Sequence, residues 1–208
     1  MLPTQLFLAA VCRAEEPDIV DSAMTREQAL EGVDPACPPE ITASQALLNV
    51  RYRSMDGKIH AGQILIHEGF AAQITEIFDL VLQSGFPVAS VIPMAHPSFR
   101  VNGRWDDDAS MNLGNSSGFN YRAISGTRTP SLHSCGAAID LNTRLNPYVR
   151  VRSGRTLISP PGAAYDPRVP GTLNEASQVT QKFLSLGWRW GGNFRALKDW
   201  QHFERDCP

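Results

Sequence analysis

The sequence predicts a small α+β domain, and two observations on its elements support that class. Short stretches that alternate apolar and polar residues, as strands do, are mixed with two longer stretches that have helical spacing. These elements do not alternate regularly, as they would around a parallel nucleotide-binding sheet. The hydrophobic content of 42% and the charged content of 19% are those of an ordinary globular chain. A chain of 208 residues has room for one well-packed core.

The N-terminal part of the chain is acidic and contains several prolines, from residue 15 to about residue 42. Within it, Thr25 as N-cap and Gln28 three residues later predict one short helix. We expect this part to be an arm rather than a domain. The predicted organisation is therefore an arm over residues 1–42 and a folded domain over residues 43–208.

The folded domain is predicted to open with a hairpin and a helix. Strand-like segments flank Asp56-Gly57, a pair typical of hairpin turns. Apolar residues then recur at helical spacing from Phe70 to Leu82, and Gly85 is placed to end this helix as its C-cap. The remaining predicted elements, in chain order, are strands at 88–92, 119–124 and 137–141, a long loop at 144–171, a helix at 174–186 and a closing strand at 201–204. Loops as long as the one at 144–171 are often functional.

Charge and hydropathy exclude some classes of protein. A formal net charge of -2 argues against nucleic acid as a partner, since such binding needs a concentrated basic face. No apolar run approaches the roughly 20 residues that a membrane-spanning helix requires. Residues 1–14 resemble a weak secretion signal, because Leu6 to Val11 form a short apolar run. No Lys or Arg precedes that run, so an unprocessed or misassigned start is the alternative.

The four cysteines, Cys12, Cys37, Cys135 and Cys207, show no spacing typical of a metal knuckle or a redox motif. In an oxidising compartment, Cys37 and Cys207 are the pair we expect to form a disulfide, which would tie the arm to the C-terminal tail. The alternative is that the thiols are buried and idle.

Two histidines and two carboxylates form a candidate metal site. A catalytic zinc ion needs three protein ligands, a position open to water and a nearby base. His133, Asp140 and His202 can supply the ligands for one ion, if a turn carrying His133 feeds a strand that ends at Asp140. Asp199 is the candidate base; otherwise it is a solvated carboxylate or a partner that orients His202. Glu204 is our preferred partner for the second ring nitrogen of His202. By spacing alone, this site stays a hypothesis.

Other residues of the same types carry weaker signals. Three histidines are interpreted as structural or solvated, namely His60, His67 and His96. Three tryptophans either form the floor of a substrate groove or pack in the core, namely Trp188, Trp190 and Trp200. Cys135 is close enough to the candidate ligands to bind zinc, although packing is the interpretation we favour.

Six motifs then occur in order between Asn49 and Glu204. They are Asp108-Ala109-Ser110-Met111, Asn115-Ser116-Ser117-Gly118-Phe119-Asn120-Tyr121-Arg122, Ser131-x-His133-x-x-Gly136-x-Ala138-x-Asp140, Asn146-Pro147-Tyr148-Val149, Gly187-Trp188-x-Trp190-Gly191-Gly192 and Asp199-x-x-His202-Phe203-Glu204. This ordered set closely resembles the VanY-like D-alanyl-D-alanine carboxypeptidases, zinc peptidases related to D,D-dipeptidases and L-alanyl-D-glutamate endopeptidases. The resemblance implies a small domain of the hedgehog/DD-peptidase type, with a central antiparallel sheet flanked by helices.

The resemblance also implies roles for individual residues. His133, Asp140 and His202 would hold a single zinc ion, and Asp199 would be the general base. Arg122 would bind the scissile carbonyl oxygen and the oxyanion that develops there, with Arg128 as a competitor for the role. The residues expected to contact substrate or support the site are Ser131, Ser116, Ser117, Glu204 and Trp200.

The implied reaction is hydrolysis of a peptidoglycan stem-peptide bond by zinc-bound water that the aspartate activates, above all removal of the C-terminal D-Ala. The alternatives are an L-alanyl-D-glutamate endopeptidase and a non-catalytic, zinc-bearing module that binds the wall. A closed pocket formed by the 144–171 loop would favour the carboxypeptidase. We expect a monomer in the bacterial envelope, periplasmic or secreted, while a cytoplasmic location stays open.

The chain departs from the family pattern at two places. Ser134-Cys135-Gly136 stands where the family commonly has Ala-Tyr-Gly, and Tyr121 stands where it commonly has Cys. Neither departure falls on a ligand, the base or the arginine. Substrate preference is the property they would change.

Overall fold

A computed structural model describes residues 17–208 of the chain. Helices and small sheets are mixed along it, which confirms the predicted α+β class. The predicted secretion signal at residues 1–14, with Cys12, lies outside the described residues. Within the part that is described, no helix combines the length and the apolar character needed to cross a membrane.

Eleven strands and five α-helices make up the described part of the chain. The strands are β1 (Ile19–Val20), β2 (Gln45–Arg53), β3 (Ile59–His67), β4 (Arg100–Val101), β5 (Arg104–Trp105), β6 (Ala138–Asp140), β7 (Tyr148–Arg152), β8 (Arg155–Ser159), β9 (Arg189–Trp190), β10 (Lys198–Asp199) and β11 (His202–Glu204). The α-helices are α1 (Arg26–Ala29), α2 (Pro39–Ala43), α3 (Ala71–Ser84), α4 (Asp107–Asn112) and α5 (Gln178–Ser185). Short 3-10 turns lie at Glu68–Phe70, Pro97–Phe99, Leu132–Cys135 and Gly191–Asn193.

The strands are divided among small sheets instead of forming the single central sheet that the resemblance implies. Three sheets have three strands each, in the orders β1-β3-β2, β10-β7-β8 and β6-β11-β9, and β4 pairs with β5. The strands predicted at 88–92 and 119–124 are wrong as regular strands, because only isolated bridges form there, at Val91 and Ala123. Backbone hydrogen bonds still connect these segments to β3, such as Gln63 N to Val91 O and Phe119 N to Leu65 O, each at 2.8 Å.

The main core lies between α3 and the sheets. The predicted hairpin at Asp56-Gly57 joins β2 and β3, which pair over their full length. The predicted helix is confirmed as α3, and it ends at Gly85, whose φ of 68° is in the left-handed region that favours glycine. Its apolar face is buried, and Trp188 and Phe203 pack in the same cluster from the C-terminal part of the chain. This core fixes β6 and β11 side by side.

The arm packs against the folded body. The predicted capping box at Thr25 and Gln28 is present at the start of α1. Strand β1 pairs in parallel with β3, and Ala29 is fully buried in a small cluster with Leu65 and Phe119. A polar contact adds to this packing, because His60 lies 2.9 Å from the Asp21 carboxylate. Residues 17–42 are thus joined to the domain by pairing and by burial.

The segment at 144–171 is not a featureless loop. It contains the hairpin of β7 and β8, whose turn is Ser153-Gly154 with φ of 50° and 73°. Two positive φ angles in a two-residue turn match the twist of a hairpin. The prediction missed this because the flanking strands carry exposed arginines rather than a clean apolar face. The helix predicted at 174–186 is also shorter, since Ser177 caps α5 at its start.

The predicted disulfide is wrong in its pairing. Cys207 is bonded to Cys135, with a Cα–Cα distance of 6.0 Å, and Cys37 is a free thiol. The reason is the path of the tail: Arg205 N donates to Ala137 O at 2.8 Å, which extends the β6–β11 ladder and brings Cys207 beside Cys135. Cys135 is therefore not available as a zinc ligand. Burial raises the pKa of the Cys37 thiol to about 11, with Asp34 and Glu40 adding to the shift.

Replacing Cys135 and Cys207 together by Ser is expected to lower the free energy of unfolding. The bond closes a loop with a sequence separation of 72 residues, and the chain-entropy model gives about 4 kcal/mol for a loop of that size. Chemical denaturation of the oxidised protein and of the double variant would measure the difference. Cys37→Ser is the matched control and should leave stability within about 1 kcal/mol of the wild type. Equal stability of the double variant and the control would contradict the expectation.

Candidate metal centre and active site

Three separate elements bring the candidate ligands together. His133 lies in the 3-10 turn at Leu132–Cys135, which Ser131 caps and which ends at Gly136 with a φ of 69°. Asp140 is the last residue of β6, and His202 is the first residue of β11. These two residues are directly opposite each other in the antiparallel pair, so their side chains share one face. The three ligands therefore converge through a turn and a strand pairing, and not through neighbouring positions on one helix.

The three side chains form one compact, buried cluster. Asp140 Oδ1 is 2.9 Å from His202 Nδ1, and Asp140 Oδ2 is 3.2 Å from His133 Nε2. The two ring nitrogens are themselves 3.2 Å apart. One ligand atom from each residue falls within 4.8 Å of the others. Their side chains are at most 11% exposed, so bulk water does not solvate them.

The outer nitrogen of each histidine has a fixed partner. His133 Nδ1 is 2.6 Å from the carbonyl oxygen of Gly118, and His202 Nε2 is 3.1 Å from Glu204 Oε2. Both partners can only accept a hydrogen bond, so each outer nitrogen carries a proton. In the neutral rings, the inner nitrogens then present lone pairs toward each other and toward Asp140. Two imidazole nitrogens and one carboxylate, each held from behind, are a donor set that fits zinc.

The electrostatics of the cluster also favour a positive charge at its centre. Burial opposes the charged form of His202, but hydrogen bonds to Asp140 and Glu204 outweigh it and raise its pKa to about 10. Burial likewise opposes the charge of Asp140, yet His133 and His202 hold the pKa of this carboxylate well below its usual value. The pKa of Glu204 is lowered against burial, mainly by its hydrogen bond to His202. A proton or a metal cation between these groups would satisfy the carboxylates.

Asp199 lies beside the ligands at the end of β10. It can approach them because Gly191 has no side chain: a Cβ there would lie 2.3 Å from the carbonyl oxygen of Asp199 and 2.8 Å from its Cβ. Gln201 Nε2 donates to Asp199 Oδ1 at 3.3 Å. Burial raises the pKa of Asp199 to about 6, and the charge of Asp140 adds to the shift although His202 opposes it. A carboxyl group with such a pKa is suited to exchange protons near neutral pH.

Arg122 is held by contacts at both ends. Its backbone N–H donates to Ser134 Oγ at 3.0 Å, and its carbonyl accepts from the same hydroxyl at 2.6 Å. The guanidinium pairs with Asp107 at 2.9 Å. Its Nε is buried and has no hydrogen-bond partner among residues 17–208. Arg128 is exposed, so the geometry favours Arg122 for a role at the site.

One comparison with known proteins gives a match. A sequence model described as D-alanyl-D-alanine carboxypeptidase matches residues 125–205. Over this range, which is less than half of its length, the chain is similar to that peptidase family. No match was found among curated proteins or among solved structures. The matched range contains His133, Asp140, Asp199 and His202, whereas Arg122 precedes it.

Some of the predicted supporting residues belong to the framework of the candidate site. Ser131 Oγ accepts from the backbone N–H of His133 at 3.3 Å, and Ser116 Oγ accepts from Asn142 N at 3.0 Å. Ser117 exchanges two backbone hydrogen bonds with Asp140, which hold the end of β6 in place. Glu204 is the partner of His202, as described above. These contacts position the turn and the strands that carry the ligands.

The aromatic residues around the candidate site divide into two groups. Trp188 and Trp190 are buried in the main core. Trp200 is partly exposed and stacks on Tyr165, with ring centroids 3.8 Å apart. The three other histidines lie in separate local contacts, His60 with Asp21, His67 with Gly69 and His96 with Ser98. None of these three joins the metal cluster found in the described part of the chain.

Sequence reasoning missed Asp107, which lies at the start of α4 and holds Arg122. Its carboxylate also accepts from Asn120 Nδ2 at 2.9 Å. Burial raises the pKa of Asp107 although Arg122 opposes the shift. No sequence signal links residues 107 and 122, because the contact depends on how α4 packs. The contact of Gln201 with Asp199 could have been predicted, since residues two apart in an extended segment lie on the same side of the chain.

Replacing Asp107 by Asn is expected to reduce kcat more than it changes zinc content. The variant keeps the side-chain shape but removes the charge that orients the Arg122 guanidinium, and an interaction of this kind is worth about 10-fold or more in rate. Steady-state kinetics with metal analysis of the same sample would measure both effects. Asp108→Asn, at the next position and exposed, is the matched control. Unchanged kcat in Asp107→Asn would contradict the positioning role.

Proposed function

We propose that this protein is a zinc-dependent peptidase that hydrolyses a bond of the peptidoglycan stem peptide, removing the C-terminal D-Ala. The observation that carries the proposal is the convergence of two inward imidazole nitrogens and the Asp140 carboxylate, with the half-buried Asp199 beside them. The family match over residues 125–205 supports the choice of reaction. The proposed catalytic domain is 43–208, with a fold of the DD-peptidase type and the arm packed against it.

In the proposed mechanism, His133, Asp140 and His202 hold one zinc ion. When bound, zinc supplies Lewis acidity, which polarises the scissile carbonyl and lowers the pKa of water. The Asp199 carboxylate accepts a proton from the attacking water and returns it to the nitrogen of the leaving amine. The Arg122 guanidinium, paired with Asp107 while Ser134 holds the Arg122 backbone, stabilises the negative charge that develops on the carbonyl oxygen. Glu204 and the Gly118 carbonyl keep both histidines in the tautomer that binds metal.

The disulfide supports an oxidising location for this enzyme. Disulfides persist in secreted and periplasmic proteins and are rare in the cytosol. The Cys135–Cys207 bond starts in the turn that carries His133 and ends three residues beyond β11, which carries His202. We therefore propose that the protein acts in the bacterial cell envelope or outside the cell.

A second candidate reaction is cleavage between L-Ala and D-Glu by the same groups. The observation that favours it is the hairpin of β7 and β8, which pairs with β10 and is exposed from Arg150 to Ile158. A groove that continues past the base could hold a peptide on both sides of the scissile bond. Arg122 and Asp199 argue against a module that only binds the wall, since such a module requires neither.

Mass spectrometry of defined muropeptides after incubation with the zinc-loaded protein tests the proposal. Pentapeptide muropeptides that lose one alanine would establish the carboxypeptidase. Release of the stem between L-Ala and D-Glu would establish the endopeptidase instead. If neither product forms although metal analysis finds zinc bound, the proposed hydrolysis is wrong.

A further inference from the structure

The hairpin of β7 and β8 has a basic face that the proposed mechanism does not use. Three arginines lie on this hairpin, Arg150, Arg152 and Arg155, and all three are exposed. Their side chains make no ion pair and no hydrogen bond within residues 17–208. A chain of net charge -2 therefore concentrates positive charge on one small element.

The strand register relates this basic face to the proposed base. Tyr148 of β7 is directly opposite Asp199 of β10, so these two side chains lie on the same face of the sheet. Alternation along β7 then places Arg150 and Arg152 on that face as well. Arg155 is opposite Arg152 across the hairpin and shares it too. The arginines thus extend the surface on which Asp199 lies.

The segment around the hairpin carries positive charges and no acidic residue. No Asp or Glu occurs between Leu141 and Tyr165, so the arginines have no acidic neighbour along the chain. Leu157, which is opposite Arg150, is 60% exposed and adds an apolar surface between the charges. Such a surface fits a partner that carries negative charges with apolar groups between them.

The spacing of the arginines matches an extended peptide. Alternate residues of a strand are about 7 Å apart, so Arg150 and Arg152 lie about 7 and 14 Å along β7 from Tyr148. An extended peptide presents successive side chains of one face at the same interval. Arginine can bind a carboxylate with two parallel hydrogen bonds, which fixes orientation as well as charge.

We propose that the face formed by Arg150, Arg152 and Arg155 binds the free carboxylates of an extended acidic stem peptide whose scissile bond lies at Asp199. This inference rests on the proposed function, because it names the substrate class of the same site. The family match describes a reaction and does not assign these three arginines. The occupant is an acidic peptide rather than a nucleic acid, since the basic face is confined to one short hairpin.

The test compares peptide binding by the zinc-loaded Asp199→Asn protein with and without the arginines. The probes are a fluorescent stem pentapeptide with free carboxylates and the same peptide with those carboxylates amidated. Replacing all three arginines by Gln should weaken binding of the acidic peptide by about 5-fold to 50-fold, the sum expected of three exposed ion pairs. Binding of the amidated peptide should change little, and added salt should reduce the difference.

Two control variants separate charge from folding. Replacing the three arginines by Lys keeps the charge and should retain most of the preference for the acidic peptide. Thr156→Gln changes the opposite face of the same hairpin and should have no effect. In the otherwise wild-type enzyme, the triple Gln variant should raise KM while kcat stays unchanged.

The outcomes distinguish this inference from the proposed function. Equal binding of both peptides by the protein with its arginines would overturn the inference even if the enzyme cleaves muropeptides. An arginine-dependent preference without any cleavage would support the binding face and refute the peptidase reaction. Arginine-dependent binding of a phosphate polymer but not of the acidic peptide would also overturn the peptide assignment.

Discussion

Replacing Asp199 by Asn is expected to lower kcat/KM by about 100-fold to 10,000-fold, the usual contribution of a general acid-base group. The amide keeps the size of the side chain and its contact with Gly191, but it cannot accept a proton. Because Asp199 is not one of the three converging ligands, zinc content should stay at the wild-type level. Kinetics on a defined pentapeptide, with metal analysis of the same preparation, would measure both quantities.

The pH profile gives an independent reading of the same residue. Asp199 must be ionised to act as a base, and burial raises its pKa to about 6. Activity should therefore fall as the pH is lowered, and a nearby zinc ion would favour the ionised form, so the acid limb should lie no higher than about pH 6. Asp108→Asn should keep the full profile. An acid limb that survives unchanged in Asp199→Asn would assign the titration to another group.

Replacing Asp140 by Asn is expected to remove zinc binding and reduce activity to background. The substitution takes away the only charged ligand and the acceptor that both inner nitrogens contact. Loss of an outer partner of a ligand already costs about 10-fold to 100-fold in metal affinity, so loss of a ligand should cost more. Metal analysis after dialysis against zinc would measure the change.

Thermal unfolding provides a second measurement that does not depend on activity. A ligand that binds only the folded state raises its stability, so zinc should raise the Tm of the wild type. Asp140→Asn should show little or no rise, whereas Asp199→Asn should behave like the wild type. An equal rise in Tm for Asp140→Asn would place the metal elsewhere in the protein.

The local elements of the fold could be predicted where a single residue type decides the geometry. Gly85 ends α3 in a left-handed conformation, and Asp56-Gly57 turns the first hairpin, as expected from those residues alone. The strands at 88–92 and 119–124 could not be judged in this way. Their backbone hydrogen bonds join residues that are distant in the chain, such as Gln63 N to Val91 O at 2.8 Å. These bonds are isolated and do not form a continuous ladder.

The candidate site divides along the same line. Residue types in ordered motifs predict the ligand set, the base and the arginine. The structure brings His133, Asp140 and His202 into one buried cluster, and Asp199 lies close enough to interact with their charges. It also shows contacts that no spacing predicts, such as Asp107 with the Arg122 guanidinium. The disulfide is the clearest case of a contact that the sequence does not decide, because four cysteines without a motif allow several pairings.

By itself, the sequence determined which chemical groups are present and which local turns can form, because both follow from residue type and near neighbours. Only the tertiary structure decided which imidazole nitrogens face inward, which cysteine Cys207 meets and which face of the hairpin adjoins Asp199. Each of these depends on pairing between residues far apart in the chain. Such pairing is selected by the burial of the whole core, and local preference does not encode it.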